Sequence, residues 1–250
     1  FNKQNLSKYK PLFGIEREFF VYDNKPNPPV PLGWEDGTPD PQGPYYCSVG
    51  TGKCYGKEFL EEALDLSLLA GLEITGSNIE VCPGQMEIQV CSEGLEAADS
   101  CIILSYILDR LGEEYNYSID WRAKPIKGDW NGSGCHVNFS TVQMRTDPKK
   151  SLLTGSVGYP EIIKAIERLE TKHAEHIAVY GDDNNERLTG LHETSSMNRF
   201  SYGVANRGAS IRIPRDTETN GYGYFEDRRP SSSADLYLVT SKIFETSIGL

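Results

Sequence analysis

Carboxylates, arginines and one histidine stand in this chain at spacings suited to handling an anionic substrate together with a divalent cation. Glu16 and Glu18 are two apart in an apolar stretch, Phe13-Gly14-Ile15-Glu16-Arg17-Glu18-Phe19-Phe20-Val21. In a strand both side chains leave on one face. Two like charges there are unfavourable unless a cation or a guanidinium lies between them; a solvated acidic face is the plainer alternative, but the apolar flanks favour a metal. Glu80 and Glu87 are seven apart, which a continuous strand would split between faces. Pro83-Gly84 between them forces a turn that can bring both back towards one point. Glu226 and Arg228 again share a strand face, setting a metal ligand type beside an anion clamp.

His136 follows the glycine-rich turn Asn131-Gly132-Ser133-Gly134, where the backbone can approach a ligand closely. By itself such a histidine is more often structural. Between Arg187 and Arg229 the arginines concentrate, with Arg207 and Arg212 separated only by Gly208-Ala209-Ser210-Ile211. Arginine presents a planar fork of donors matched to carboxylate and phosphate oxygens and keeps its charge beside other cations. Pairing with surplus acidic residues could explain any one of them, but not so many among glycines. Two further motifs carry no chemistry. Gly50-Thr51-Gly52-Lys53 and Gly56-Lys57-Glu58 lack phosphate-loop spacing, and His173-Ala174-Glu175-His176 lacks the gap of a zincin helix. His173 and His176 read as surface residues.

These side chains need a scaffold. Residues 10–22 fit a half-buried strand, followed by a Pro/Gly-rich loop over 23–46. Apolar spacing predicts helices over 57–72, 95–115 and 161–180, and a last one from about Ser231. Strands are expected over 72–81, 86–91, 117–127 and 135–141. Without regular βαβ spacing, this order implies an α+β fold with a curved, mostly antiparallel sheet and flanking helices, in one domain over 1–250.

The chain has 250 residues, enough for a substantial core. Its net charge of −11 and pI near 4.9 argue against nucleic acid or an anionic membrane as partner. No apolar run approaches the roughly 20 residues of a membrane span, and nothing at the start reads as a signal peptide. Cys47, Cys54, Cys82, Cys91, Cys101 and Cys135 show no metal spacing, which fits free thiols in a reducing, cytoplasmic setting. Starting at Phe1 and ending in a helical pattern, the chain reads as a trimmed domain.

With these residues assembled, the chain resembles the catalytic domain of eukaryotic-type (type II) glutamine synthetase, a guanido-kinase-like fold. The motifs that carry the resemblance are Phe13–Glu18, Pro41-Gln42-Gly43-Pro44-Tyr45-Tyr46-Cys47, Glu80–Glu87, Lys127–Thr141 and Arg187–Arg229, in the family's order along essentially the whole chain. The resemblance implies ATP-dependent ligation of ammonia to L-glutamate through γ-glutamyl phosphate. It assigns one Mg²⁺ or Mn²⁺ to Glu18, Glu80 and Glu87, and a second, facing the ATP phosphates, to Glu16, His136 and Glu226. It gives Arg207 and Arg212 to the moving phosphate and Arg187 and Arg228, with Arg207, to glutamate carboxylates. Asp129, Trp130, Asn131 and Gly132 would line the glutamate pocket. Asn138, Phe139, Ser140, Tyr224 and Phe225, with Glu16 and Glu87, would hold the nucleotide. Glu193 corresponds to the flap glutamate that shields the intermediate and takes a proton from ammonium. The family also implies a homo-oligomer, a decamer of two pentameric rings, and an N-terminal β-grasp domain, absent from this chain, whose aspartate completes a neighbour's site. Leu12 and Met86 depart from the family's tryptophans, Leu236-Tyr237 from an Asp-Pro, and Asn185-Glu186-Arg187 keeps one arginine of a pair. A related γ-glutamyl-amide ligase or a silent structural homologue are the rival readings. His192-Glu193-Thr194 speaks for ammonia, and the full set of carboxylates and arginines against silence.

Overall fold

Twelve residues, Leu12–Asp23, whose burial alternates along the first half, form strand β1, on which the rest of the sheet is built. The computed structural model describes residues 2–250. Strand β4 (Gln85–Glu93) pairs along one edge of β1 and β6 (Cys135–Ser140) along the other. Two short strands, β2 (Val30–Pro31) and β5 (Tyr117–Asp120), pair with the far end of β1. Strand β3 (Ile74–Ile79) lies outside β4, while β9 (Phe225–Asp227), β8 (Ile211–Ile213) and β7 (Tyr202–Val204) extend the sheet beyond β6. Among the described residues the order is β3-β4-β1-β6-β9-β8-β7 in an open nine-stranded sheet, antiparallel except for β7 with β8.

One face of the sheet is apolar and covered. Phe13, Ile15, Phe19 and Val21 of β1 join Met86, Ile88 and Val90 of β4 and Val137 and Phe139 of β6 in a buried core. Helices α2 (Lys57–Leu69), α3 (Glu96–Tyr115), α4 (Tyr159–Thr171) and α7 (Leu236–Ile248) contribute to it. Each fully buried aliphatic or aromatic side chain contributes roughly 1.5–3 kcal/mol, so this face holds the sheet and leaves the other for polar work. Arg17 is a polar side chain on the covered face. It donates to Ser105 Oγ at 2.5 Å and to the Ser232 carbonyl at 3.2 Å, and lies over the Trp121 ring at 3.9 Å.

The predicted fold class is correct, with local differences. A short helix α1 (Lys3–Tyr9), capped by Asn2, precedes β1, and α6 (Arg215–Asn220) precedes β9. The helix expected over 161–180 breaks after Thr171 and resumes as α5 (His173–Ile177). The last helix begins five residues later than expected, where Asp235 accepts from the Tyr237 and Leu238 N–H groups.

The reading of His173 and His176 as surface residues is corrected. His176 is fully buried, with Nδ1 at 2.5 Å from Tyr180 Oη and Nε2 at 2.9 Å from Thr246 Oγ1. Tyr180 Oη donates to Asp227 Oδ2 at 2.7 Å, and Arg229 binds both Asp227 oxygens at 2.8 and 2.6 Å. His173 is half-buried, its Nδ1 2.9 Å from Arg229 Nη1. Helical periodicity alone could not reveal this, because Asp227, Arg229 and Thr246 are brought from distant parts of the chain.

Burial first, then the Arg229 charge, pushes His176 down to about 3. An unfolded histidine binds its proton near pH ~6.5, so stability should fall as pH drops from about 6.5 towards 3, at up to ~1.4 kcal/mol per pH unit. Urea unfolding across this range should show the slope, and His176→Gln should flatten it; an unchanged slope in the variant refutes the assignment.

Candidate active site

The polar face of the sheet collects the chemistry by register. Glu18 pairs with Glu87 and Glu16 with Gln89 across β1 and β4; Glu16 pairs with His136 across β1 and β6. Asn138 pairs with Glu226, and Glu226 with Arg212. Directly paired residues share a face, so one row of side chains runs from β4 to β8. Glu80 lies just past β3, where Asn78 pairs with Glu87. Its backbone N–H donates to the Gln85 carbonyl at 2.9 Å, which continues the hairpin past Asn78. The turn thus brings Glu80 to the face of Glu87 despite their odd spacing.

Two groups of three ligand types result. Atoms of Glu18, Glu80 and Glu87 lie within 4.8 Å of one another, as do atoms of Glu16, His136 and Glu226. Each carboxylate of the first group is oriented from behind. Glu18 Oε2 accepts from Gln85 Nε2 at 2.9 Å and from the Gly134 N–H at 2.8 Å. Asn78 Nδ2 donates to Glu80 Oε1 at 2.9 Å, and Gln89 Nε2 to Glu87 Oε1 at 2.7 Å. Such partners aim the remaining oxygens, as second-layer residues do around metal ions. Burial first, then the neighbouring carboxylates, pushes Glu18 well above the usual carboxylate range and Glu87 up to about 8. Three carboxylates at this range, two of them buried, repel unless a cation joins them. The all-oxygen donor set fits a hard divalent ion.

The second group is mixed. Burial first, then the Arg228 charge, holds His136 down at about 3, so the ring is neutral at pH 7 and has a lone pair for a metal. Glu16 is held at about 2; burial opposes its charge, but His136, the Asn138 amide and Arg212 outweigh it. Glu226 is fully buried and raised to about 7 by burial, against Arg228 and Arg212. Arg228 Nη1 donates to Glu226 Oε1 at 2.7 Å, and Arg212 Nε pairs with Glu226 Oε2. One imidazole and two carboxylates suit Mg²⁺ or Mn²⁺.

The first group and, from the second, Glu16 and His136 line a cavity of about 390 Å³, with Glu226 buried behind its wall; Tyr46, Asn131, Gly132, Arg187, Glu193, Arg207, Arg212 and Arg228 line it too. A groove of about 300 Å³ adjoins it, lined by Leu12, Gly14, Cys91, Asn138, Phe139, Ser140 and Tyr224, and it shares Glu16 and Gln89 with the cavity. Two glycines permit the close approach of the 131–134 turn. A Cβ on Gly132 would stand 2.3 Å from the Ala123 carbonyl oxygen, and one on Gly134 2.8 Å from His136 Nε2.

A family model described as "Glutamine synthetase, catalytic domain" matches residues 2–248. The chain belongs to this family. It is 50% identical over 240 residues to a glutamine synthetase cytosolic isozyme of Medicago sativa, covering 95% of this chain and 64% of that protein. A glutamine synthetase of Yarrowia lipolytica is 50% identical over 240 residues, with 95% and 62% covered. A protein of Acanthamoeba polyphaga mimivirus, "Putative glutamine synthetase", is 46% identical over 238 residues, with 95% and 64% covered. The chain thus spans less than two thirds of the length of these curated relatives.

Within this member of the glutamine synthetase family, the residues expected at the site are not all placed alike. All six ligand candidates converge. Phe139 and Phe225 do not offer side chains to a nucleotide: both rings are fully buried, 5.6 Å apart, on the helix-covered face. Strand alternation dictates this, since each is a direct neighbour of a site-facing residue. Phe139 therefore lines the groove through its backbone. Asp129 and Trp130 line an adjoining groove rather than the carboxylate cavity. The Asp129 side chain is 95% exposed and pairs with His192 Nε2 at 3.0 Å, and Trp130 packs edge-on against Trp34 at 4.8 Å. Arg187 gives Nε to Asn184 Oδ1 and Nη2 to the carbonyls of residues 228, 229 and 230, which leaves Nη1 for the cavity. Arg228 has given three of its five N–H donors, to Glu226, the Arg207 carbonyl and the Glu193 carbonyl.

Sequence reasoning missed Gln85, Gln89 and Asn78. The signal was there: Gln85 and Gln89 flank Glu87 at two-residue spacing, so they share its face.

Titrating the protein that carries this chain with Mn²⁺, with free ion followed by paramagnetic resonance, should give two sites per chain. Glu18→Gln should remove one and Glu226→Gln the other. A stoichiometry unchanged in both variants would falsify the ligand sets.

Proposed function

We propose that the protein carrying this chain is a glutamate–ammonia ligase, with residues 1–250 as its catalytic domain. It joins ammonia to the γ-carboxylate of L-glutamate with cleavage of ATP to ADP and phosphate. The observation that carries this reading is the pair of three-ligand groups side by side on one sheet face, bordered by Arg187, Arg207, Arg212 and Arg228, in a chain of the glutamine synthetase family.

The first step moves the γ-phosphoryl group of ATP onto a glutamate carboxylate, so two anions must meet. Such a transfer needs charge neutralisation and positioning more than covalent help. Divalent ions, when bound to the two groups, supply most of the positive charge that offsets the phosphate oxygens. Arg212, partly exposed beside Glu226, and Arg207, at the cavity mouth, add guanidinium donors where charge develops. Arg228 and the free Nη1 of Arg187 orient the glutamate carboxylate. The groove beside Glu16 takes the nucleotide, with Asn138, Ser140 and Tyr224 along its wall. Ammonia then attacks the acyl carbon of γ-glutamyl phosphate, the C–O bond to phosphate breaks, and the proton shed by the amine passes to Glu193. That carboxylate is about half exposed and held by Arg207 Nη1 at 3.1 Å. Water must be kept from the acyl phosphate meanwhile.

The reading extends to a cytosolic setting, supported by relatives named as cytosolic isozymes. Among the described residues no helix is long and apolar enough to cross a membrane. It also extends to a homo-oligomer, the two-ring decamer that the family resemblance implies.

With glutamate, ATP and hydroxylamine, the protein should form γ-glutamyl hydroxamate with Mg²⁺ and with Mn²⁺. Arg212→Ala should lower kcat about 10²–10³-fold, the usual cost of removing a donor to developing charge, and Glu18→Ala should abolish turnover without loss of assembly. Absence of hydroxamate with both ions, or normal turnover in Glu18→Ala, sinks the proposal.

A further inference from the structure

The Glu193 loop borders the cavity in a backbone conformation that disfavours it. His192 and Glu193 both sit in the left-handed region, at φ 53° and 59°, and each such non-glycine residue costs roughly 1–2 kcal/mol. Something must hold the loop there. Arg207 and Arg228 bind Glu193 itself, but both are occupied with the cavity, and the Arg207 contact is half exposed.

A second tether comes from the other side. Asn131 N–H donates to Gln42 Oε1 at 2.7 Å. A backbone N–H can only donate, so this bond fixes which end of the Gln42 amide carries the oxygen. Gln42 Nε2 then donates to Asn131 Oδ1 at 2.8 Å and to His192 Nδ1 at 3.0 Å. With Nδ1 accepting, the ring N–H is on Nε2, which faces Asp129 Oδ1 at 3.0 Å. Asp129 is nearly free in solvent, so that contact contributes little; the Gln42 bond is the more sheltered one. Gln42 in turn is anchored. The Gly43 N–H donates to the Val81 carbonyl at 3.1 Å and the Cys47 N–H to the Ile79 carbonyl at 2.9 Å, which ties its loop to the hairpin that presents Glu80.

We infer that Gln42 and His192 are positioning residues that latch the Glu193 loop shut over the acyl phosphate, and so keep ATP cleavage coupled to amide formation. The inference rests on the ligase reading. Without the latch, water reaches the γ-glutamyl phosphate: its oxygen bonds to the acyl carbon, the C–O bond to phosphate breaks, and glutamate and phosphate are returned with a proton released. ADP then accumulates without glutamine.

The test measures ADP and glutamine together in the protein that carries this chain. Wild type should form close to one ADP per glutamine. Gln42→Ala and His192→Ala should each raise this ratio several-fold while leaving the KM for ATP near the wild-type value. The double variant should be no worse than either single one, because both remove the same link. His192→Asn, which keeps an acceptor where Nδ1 stood, should recover part of the coupling. Gln42→Met keeps the length of the side chain but offers His192 no donor, so it should uncouple even if Gln42→Ala fails to fold. Unchanged coupling in folded Gln42→Met and His192→Ala overturns the latch alone. Parallel loss of ADP and glutamine in those variants also overturns it, since it marks a substrate-binding role. A wild type that forms no glutamine overturns the ligase reading, and the latch with it.

Discussion

Strand β1 is paired on both edges over the same residues, so its register sets every distance in the site. Glu16 is opposite Gln89 on one side and His136 on the other, and Glu18 is opposite Glu87. Because side chains alternate with a period of two, a slip of one residue would turn both carboxylates into the helix-packed core and expose Phe13, Ile15 and Phe19. The apolar face opposes that slip with the free energy of its whole core. The chemistry is thus held in place by residues that take no part in it, on the far side of the same strand.

That arrangement gathers charge of one sign. Burial and crowding raise Glu18, Glu80 and Glu87 above the usual carboxylate range, while Glu226 is wedged between Arg212 and Arg228. Buried ionisable groups at such spacing are poor contributors to stability, and their persistence marks a functional demand. Asn78, Gln85 and Gln89 supply neutral amides behind the carboxylates, which orient them without cancelling their charge. Arginines in those places would have neutralised the carboxylates and left them unable to hold a cation.

Much of this was legible in the chain. Two-residue spacing in an apolar stretch identified Glu16 and Glu18 as a pair, and a helical period located α2, α3 and α4. The turn at Pro83-Gly84 foretold the return of Glu87 towards Glu80. What was not legible depended on long-range contacts. His176 and Arg229 look like ordinary polar residues until the sheet and α7 close around them. Phe139 and Phe225 look like pocket residues by adjacency to Asn138 and Glu226, yet the same alternation that exposes one neighbour buries the other. Asp129 sits beside the right glycines but on the outer side of their turn. Gln42 could not be tied to His192 at all, since 150 positions of chain separate them.

Glu16 and Gln89 form a common wall between the cavity and the neighbouring groove. A partition one side chain thick cannot isolate two occupants. Whatever the filling of one compartment does to the Glu16 carboxylate, the other compartment inherits, and the linkage runs equally in the reverse direction. The affinity of either chamber is therefore a property of both, and measuring one empty and one full yields a coupling free energy that belongs to the wall itself.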